Sequence, residues 1–515
     1  MSAQLATAAW ARPFSLGFDL FLAAVLGALQ TASFVYTEAW WLQMLCVAML
    51  AWRAAVVTPG RAFVLGMVFG TAWVGAGTWW MFISMHRYGG LPAWMAVLAV
   101  AALAAFLSLY LGAALWAFAR WRAGRPLPDA ALFAAVWLLA ELARGVIFTG
   151  FPWVASGYAH VDGPLAMLSP WVGVYGVGAA AAFLAAWSAV SRPVLGVRRI
   201  VAIVAVAVGM DYLADATGPI RFTEPGGTLE VTLLQGNIPQ EEKFASEHQA
   251  AALEWHVGAM LAAGSDLVVA PETAVPFLPQ QMPEDFWPGL RSRFSTGRTH
   301  ALFGVPLGNE QAGYTNSAVG FAPGRDEYRY DKHHLVPFGE FIPTGFKWFT
   351  QMMNIPLGDF NRGALDAPSF VVKGERVAPN ICYEDLFGEE LAARFAVPAR
   401  APTVFANISN IGWFGDTIAV DQHLNISRMR ALEFQRPMLR ATNTGATAII
   451  DHRGQVTHNI KPYTRGVLEG PVQGRTGLTP YAWWVARYSL WPLAAAAALV
   501  IAMLLALRRW RRRRG

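Results

Sequence analysis

The sequence predicts a multi-pass α-helical membrane domain of about eight spans joined to an α/β domain, and three observations predict it. Of 515 residues, 55% are hydrophobic and only 14% are charged, against roughly 45–50% and about 25% in soluble globular chains. Apolar blocks, each long enough for a hydrocarbon core about 30 Å thick, fill the chain up to residue 216 and recur near its end. Between them, residues 217–480 alternate short apolar runs of strand type with helical stretches. This composition excludes an ordinary cytosolic enzyme and any disordered or collagen-like class. Two cysteines far apart, Cys46 and Cys382, make neither a disulfide framework nor a metal-ligand spacing.

In chain order the expected spans are 16–36, 39–58, 62–84, 92–119, 129–148, 165–190 and 198–215, with an eighth at 488–507. The first, preceded by Arg12, has the outline of a secretory signal, but six more spans follow it and it reads as a retained anchor. Arginines set the orientation. Arg53 and Arg61, then Arg120, Arg122 and Arg125, then Arg192, Arg198 and Arg199, and the tail Arg508, Arg509 and 511–514 all fall in loops on one side, which the positive-inside rule assigns to the cytoplasm. Both termini are therefore expected in the cytoplasm and the segment between spans seven and eight outside. Trp40, Trp41, Trp79, Trp80, Trp121, Trp483 and Trp484 sit near span ends, as an aromatic belt requires. The expected domains are 1–216 (membrane, seven spans), 217–480 (α/β) and 481–515 (last span and basic tail). The membrane portions hold 18 basic and 7 acidic residues and the α/β portion 22 and 27, so the pI near 9.4 reflects topology and implies no nucleic acid. Glu141 and Arg144, one helical turn apart at a span end, are intramembrane charges and so functional candidates, which a local ion pair explains as well; no role is assigned to them.

Within the polar segment, strands are expected at 229–234, 266–270, 301–305, 317–321, 377–382, 403–408 and 447–450, with helices at 248–263 and 421–435. Alternation of this kind indicates an α/β domain with a largely buried sheet.

Three stretches at strand ends carry candidate chemistry. Pro271-Glu272-Thr273-Ala274-Val275-Pro276 ends an apolar strand on a carboxylate flanked by prolines, placed to act as a general base or merely as an ion-pair partner. Lys332 is one of only five lysines in an arginine-rich chain, all in the polar segment, and a lysine supplies a compact point charge that a guanidinium fork does not imitate. The adjacent His333 and His334 lack the partner spacing of a metal site. Cys382, at the end of the run 377–381, is followed by acidic Glu384 and Asp385, which disfavour a thiolate. A nucleophilic role thus needs a cation, for which Lys332 is the candidate; a Cys-His dyad with His334 or His423 is the alternative.

Together these stretches resemble the nitrilase superfamily and, within it, the membrane-embedded apolipoprotein N-acyltransferase family. The matching segments are Leu234-Gln235-Gly236-Asn237-Ile238-Pro239-Gln240, the Glu272 stretch, Tyr314-Thr315-Asn316-Ser317, 334–340, Ile381-Cys382-Tyr383-Glu384, 407–416, 477–481, Phe151-Pro152-Trp153 and Gly157-Tyr158. The resemblance implies a four-layer α-β-β-α sandwich for 217–480, with Cys382 as nucleophile, Glu272 as general base and Lys332 as the cation beside the oxyanion. It gives supporting places to Glu340, Tyr383, Glu384, Trp413 and Asn316. It further implies acyl transfer from a phospholipid donor, through a Cys thioester, to a diacylglyceryl apolipoprotein in the bacterial inner membrane, with the catalytic domain periplasmic and no cofactor or metal. A membrane-tethered nitrilase-type amidase is the alternative. Phe244 stands where some members carry Trp. The apolar stretch 341–357, with Trp348 and Phe349, is either an acyl-binding loop reaching toward the bilayer or part of the α/β core. Phe414 and Trp153 are further candidate lipid contacts.

Overall fold

The computed structural model describes residues 14–190, 220–240, 246–343 and 359–514. The expected span at 198–215 and the residues Phe244, Trp348 and Phe349 lie outside them.

The described chain forms two compact units, one from within 1–79, 97–220 and 490–515, the other from Trp80–Ala96 with Arg221–Ser489. In the first, Leu16–Phe34, Ala93–Trp121, Pro126–Thr149, Pro164–Ala189 and Trp491–Arg511 are long and apolar enough to cross a membrane. Pro59–Thr78 becomes a sixth when taken with its bent continuation Met81–Tyr88. The expected span at 39–58 is represented by Trp40–Ala54, only 15 residues long, or about 22 Å at 1.5 Å per residue. A separate 3-10 turn, Thr37–Ala39, takes up the start of that apolar block, and Thr58 caps the next helix, whose first residue is Pro59.

Helix packing in this unit depends on small residues. A Cβ on Gly66 would lie 2.8 Å from the Leu111 carbonyl oxygen and 2.9 Å from the Gly112 Cα, so only glycine permits that approach. Two buried carboxylates of this unit are paired with arginine. Asp19 accepts from Arg53 at 2.9 Å and Arg61 at 2.6 Å. Glu141 pairs with Arg144 at 3.2 Å and accepts from the Ser156 amide at 2.7 Å and the Trp137 indole at 3.2 Å. That carboxylate ties the helix Pro126–Val146 to the irregular 154–156 segment, which accounts for its place in an apolar unit. Trp153, expected from the sequence as a candidate lipid contact, is instead buried, at 4% exposure.

The second unit contains two six-stranded sheets. In chain order the strands are β1 (Thr223–Gln235), β2 (Leu267–Val269), β3 (His300–Asn309), β4 (Gly313–Phe321), β5 (Tyr328–Asp331), β6 (Phe370–Val372), β7 (Glu375–Ile381), β8 (Val404–Ser409), β9 (Met438–Thr442), β10 (Ala448–Ile450), β11 (Val456–Asn459) and β12 (Gly466–Gly477). One sheet runs β12-β1-β2-β3-β4-β5 and the other β11-β10-β9-β8-β7-β6. In each, the central strands are parallel and the flanking ones antiparallel.

Side-chain alternation along the strands builds the layers. Leu229, Val231, Leu233, Leu267, Val269 and Leu302 of the first sheet share one core with Val377, Ile381, Val404, Ala406, Ile408 and Leu439 of the second. The intervening Val268, Ala270, Ala301, Phe303 and Val305 point the other way, into a core with Met260, Leu290 and Phe294 of the helices Ser246–Ala262 and Phe286–Thr296. On the outer face of the second sheet, Phe405 meets Phe395 and Phe434 at centroid distances of 5.9 and 5.4 Å. The result is the expected α-β-β-α sandwich. All seven expected strands and both helices are present within a few residues, and β5, β6, β9, β11 and β12 are additional.

The stretch Trp80–Ala96, which sequence reading counted with the membrane domain, packs with the α/β unit. The Trp80 indole donates to Gln422 Oε1 at 3.1 Å and its ring lies 4.2 Å from Phe414, while Tyr88 meets Trp413 edge-on at 5.6 Å.

Candidate active site

The sandwich core brings the three candidate stretches together at the ends of neighbouring strands. Glu272 follows β2, in a turn where Thr273 has φ 55°. Gly304 on β3 makes room for this turn: a Cβ there would lie 2.6 Å from both Glu272 Cα and the Thr273 nitrogen. The turn is fixed by Gly304 N–H donating to the Pro271 carbonyl at 3.2 Å and Val275 N–H donating to the Gly304 carbonyl at 3.1 Å. Gly304→Ala is therefore expected to displace Glu272, lowering activity at least tenfold and stability by about 1–3 kcal/mol; turnover and thermal midpoint measured on the same preparation check it.

Glu272 is buried and held at both oxygens. Oε1 accepts from Asn316 Nδ2 at 2.7 Å and Oε2 from the Asn410 amide at 2.9 Å. Asn316 Nδ2 also reaches Glu340 Oε1 at 2.7 Å, so one amide group on β4 spaces two carboxyl groups. Lys332, 1% exposed, lies between them, with Nζ 2.9 Å from Glu340 Oε1 and 3.7 Å from Glu272 Oε1. Glu340 is fixed in turn by the Val336 amide at 2.8 Å. Burial pulls the Lys332 pKa down, but the charges of Glu340 and Glu272 push back and leave it above the ordinary lysine value. It is a permanent ammonium.

Cys382 follows β7 directly and opens the 3-10 turn Cys382–Leu386 with φ 52°. Left-handed backbone at a non-glycine residue costs of the order of 1–3 kcal/mol and persists where surroundings impose it. Burial first, then the charge of Glu272, raise the thiol well above its ordinary pKa; Lys332 opposes them, and Glu340 and Asp385 add to the rise. The resting group is a thiol, and a base must remove its proton as it reacts.

The remaining expected residues divide by what they touch. Glu384 is a staple: it accepts from the Ile381 amide at 2.6 Å, the His333 amide at 2.6 Å, the His334 amide at 3.1 Å and the Tyr330 hydroxyl at 2.8 Å. It thereby ties the cysteine turn to the loop after Lys332. Burial raises its pKa, against the Ile381 N–H and the Lys332 charge. Tyr383 packs against Phe387 and His334 at 5.2 and 5.6 Å. Trp413 and Phe414 are half-buried in the turn Ile411–Phe414, three and four residues beyond Asn410.

Neither histidine completes a dyad with the thiol in this arrangement. His334 stacks on Phe387 at 3.5 Å and pairs with Glu390 at 2.9 Å. His423 bonds the Cys382 carbonyl and Asp385 instead. Sequence reasoning missed the Asn410 amide and the Trp80–Tyr88 stretch as parts of this neighbourhood. Asn410 lies inside the matched 407–416 segment, yet a backbone N–H leaves no trace in residue type.

Residues 26–187 match the apolipoprotein N-acyltransferase N-terminal domain and residues 230–481 match the carbon-nitrogen hydrolase domain. The chain is similar to apolipoprotein N-acyltransferase of Verminephrobacter eiseniae, 53% identical over 92% of this chain and 94% of that protein. It is likewise similar to those of Ralstonia nicotianae (47% identical, 96% and 94% covered) and Bordetella bronchiseptica (41%, 92% and 93%). With an apolar helical unit preceding an α-β-β-α sandwich, and identity of this extent across both, the chain belongs to the apolipoprotein N-acyltransferase family.

Proposed function

We propose that this protein transfers an acyl chain from a phospholipid, the sn-1 chain of phosphatidylethanolamine, to the α-amine of the N-terminal diacylglyceryl cysteine of apolipoproteins, through a thioester on Cys382. The reaction completes lipoprotein maturation at the outer face of the bacterial inner membrane, with the α/β unit periplasmic and both termini cytoplasmic. The name shared by the relatives supports the acceptor class, and the arginine distribution supports the orientation.

One observation carries the catalytic assignment. A buried ammonium, Lys332, stands between two fixed carboxyl groups, and Glu384 joins the loop that follows it to the strained turn that begins at Cys382. In the first step Glu272 takes the Cys382 proton as sulfur attacks the ester carbonyl. The tetrahedral oxyanion forms beside Lys332, and Glu272 returns the proton to the departing lysophospholipid oxygen. In the second step the acceptor amine attacks the thioester, Glu272 takes the amine proton, and sulfur leaves and is reprotonated. Covalent catalysis of this kind splits one difficult transfer into two easier ones. Glu340 and Asn316 hold the ammonium and the base in register.

Trapping tests this reading. Protein incubated with phosphatidylethanolamine and no acceptor is expected to gain one acyl mass on the Cys382 peptide, and a diacylglyceryl lipopeptide chase is expected to remove it onto the peptide amine. Free fatty acid as the sole product would replace this reading with a membrane-tethered amidase or esterase.

A further inference from the structure

Beneath the cysteine turn lies a buried polar network that the proposed acyl transfer does not consume. His423 and Ser427, one helical turn apart on Ala419–Phe434, face Asp385 of the cysteine turn and Arg440 of β9. All four are at most 1% exposed. Arg440 donates through NH1 to Asp385 Oδ2 at 3.3 Å, to the His423 carbonyl at 3.3 Å and to the Ser427 hydroxyl. Ser427 passes its own proton to Asp385 Oδ2.

The network fixes the tautomer of His423. Arg440 NH2 lies 3.2 Å from His423 Nδ1, and a guanidinium only donates, so Nδ1 accepts and the proton resides on Nε2. Nε2–H is shared between Asp385 Oδ1 at 3.0 Å and the backbone carbonyl of Cys382 at 3.2 Å. The same carbonyl accepts from Asn407 Nδ2 at 3.1 Å. Strand register explains the arrangement, because Asn380, Asn407 and Arg440 are direct cross-strand neighbours on β7, β8 and β9, one row below the cysteine.

We propose that His423, oriented by Asp385 and Arg440, is a positioning residue for the nucleophile: with Asn407 it clamps the Cys382 carbonyl and so fixes both the left-handed elbow and the direction of the next amide. In a planar trans peptide the C=O and N–H point to opposite edges, so a carbonyl turned toward Asn407 and His423 commits the Tyr383 N–H to the other side. A φ of 52° at Cys382 survives because its surroundings over-determine it, and these two donors are part of that constraint. Releasing the clamp lets the elbow relax and misaligns sulfur with the ester carbonyl, a defect in acylation rather than in lipid binding.

This inference rests on the thioester reading, and the experiment separates the two. Full-length protein in phosphatidylethanolamine-containing nanodiscs is assayed for the rate of acyl-Cys382 formation, the KM for phospholipid and the thermal midpoint. His423→Phe, which keeps the ring but removes both nitrogens, is expected to slow acylation about 10- to 100-fold with KM within twofold. His423→Gln, which restores a donor near Nε2, is expected to recover to within about fivefold of the unmodified protein. Asn407→Leu removes the second donor, gives the same split, and replaces His423→Phe should that variant not fold. Acylation within threefold of the unmodified protein in the donor-less variants, or no recovery by His423→Gln, overturns the positioning role. Absence of any acyl-Cys382 in the unmodified protein overturns the thioester reading itself.

Discussion

Cys382→Ala is expected to abolish acyl transfer while leaving phospholipid binding and the fold in place. In the proposed mechanism the sulfur forms and breaks the acyl bond, and its neighbours are otherwise engaged: Tyr383 with Phe387, and Asp385 with Arg440 and His423. Losing a covalent nucleophile returns the reaction to direct attack of amine on ester, so the decline should reach the assay floor, at least about 10⁴-fold. Folding should be little affected, because the thiol is a small, partly buried group at the edge of the inter-sheet core, and alanine keeps the Cβ and the backbone of the turn. Radiolabelled phosphatidylethanolamine with a lipopeptide acceptor measures transfer. Substantial activity in a correctly folded Cys382→Ala protein would falsify the thioester mechanism.

Lys332→Met is expected to lower acylation by about 10²–10³-fold, the usual loss when one oxyanion donor is removed. The substitution preserves side-chain length and volume but deletes the ammonium between Glu340 and Glu272. Two carboxyl groups then share the Asn316 amide without the ammonium that lay between them. Breaking such a buried arrangement by removing one partner typically costs about 3–5 kcal/mol, so a lower thermal midpoint should accompany the loss of rate. Lys332→Arg should not rescue, because a planar fork cannot occupy the site of a compact charge held at 2.9 Å from one carboxylate and 3.7 Å from the other. Retention of more than a tenth of the acylation rate in Lys332→Met would remove the oxyanion role and leave Lys332 a structural ion-pair partner.

The fold was legible where burial writes a period into the chain. Leu229, Val231 and Leu233 face the inter-sheet core while Val268 and Ala270 face the helices, and runs of that kind mark buried strands whatever their neighbours are. Strand β12 escaped because its alternation is weak: Val467 and Leu468 are adjacent, Gly470 and Pro471 separate them from Val472, and only long antiparallel pairing with β1 makes it a strand. Strand β9 escaped because Arg440 interrupts its apolar pattern, and that arginine is buried by Asp385 and His423, residues far from it in sequence. The same gap hid the affiliation of Trp80–Ala96. Its apolar composition reads as the end of a span, and its partners Phe414, Gln422 and Trp413 are more than three hundred residues away.

The site divides along the same line. Residue type and local context single out Glu272, Lys332 and Cys382, because a carboxylate between prolines, a rare lysine and a cysteine at a strand end are each visible in a few residues. Sequence alone thus determined the two-part architecture, the alternation that marks an α/β domain with buried strands, and the chemical groups available to react. The tertiary structure decided what those groups do to one another. It placed one lysine between two carboxyl groups, turned a backbone N–H of Asn410 toward Glu272, and set His423 under the nucleophile's carbonyl instead of beside its sulfur. Those outcomes depend on distances of about 3 Å between segments joined only by packing, and electrostatics and hydrogen bonding act on distance, which residue order does not encode.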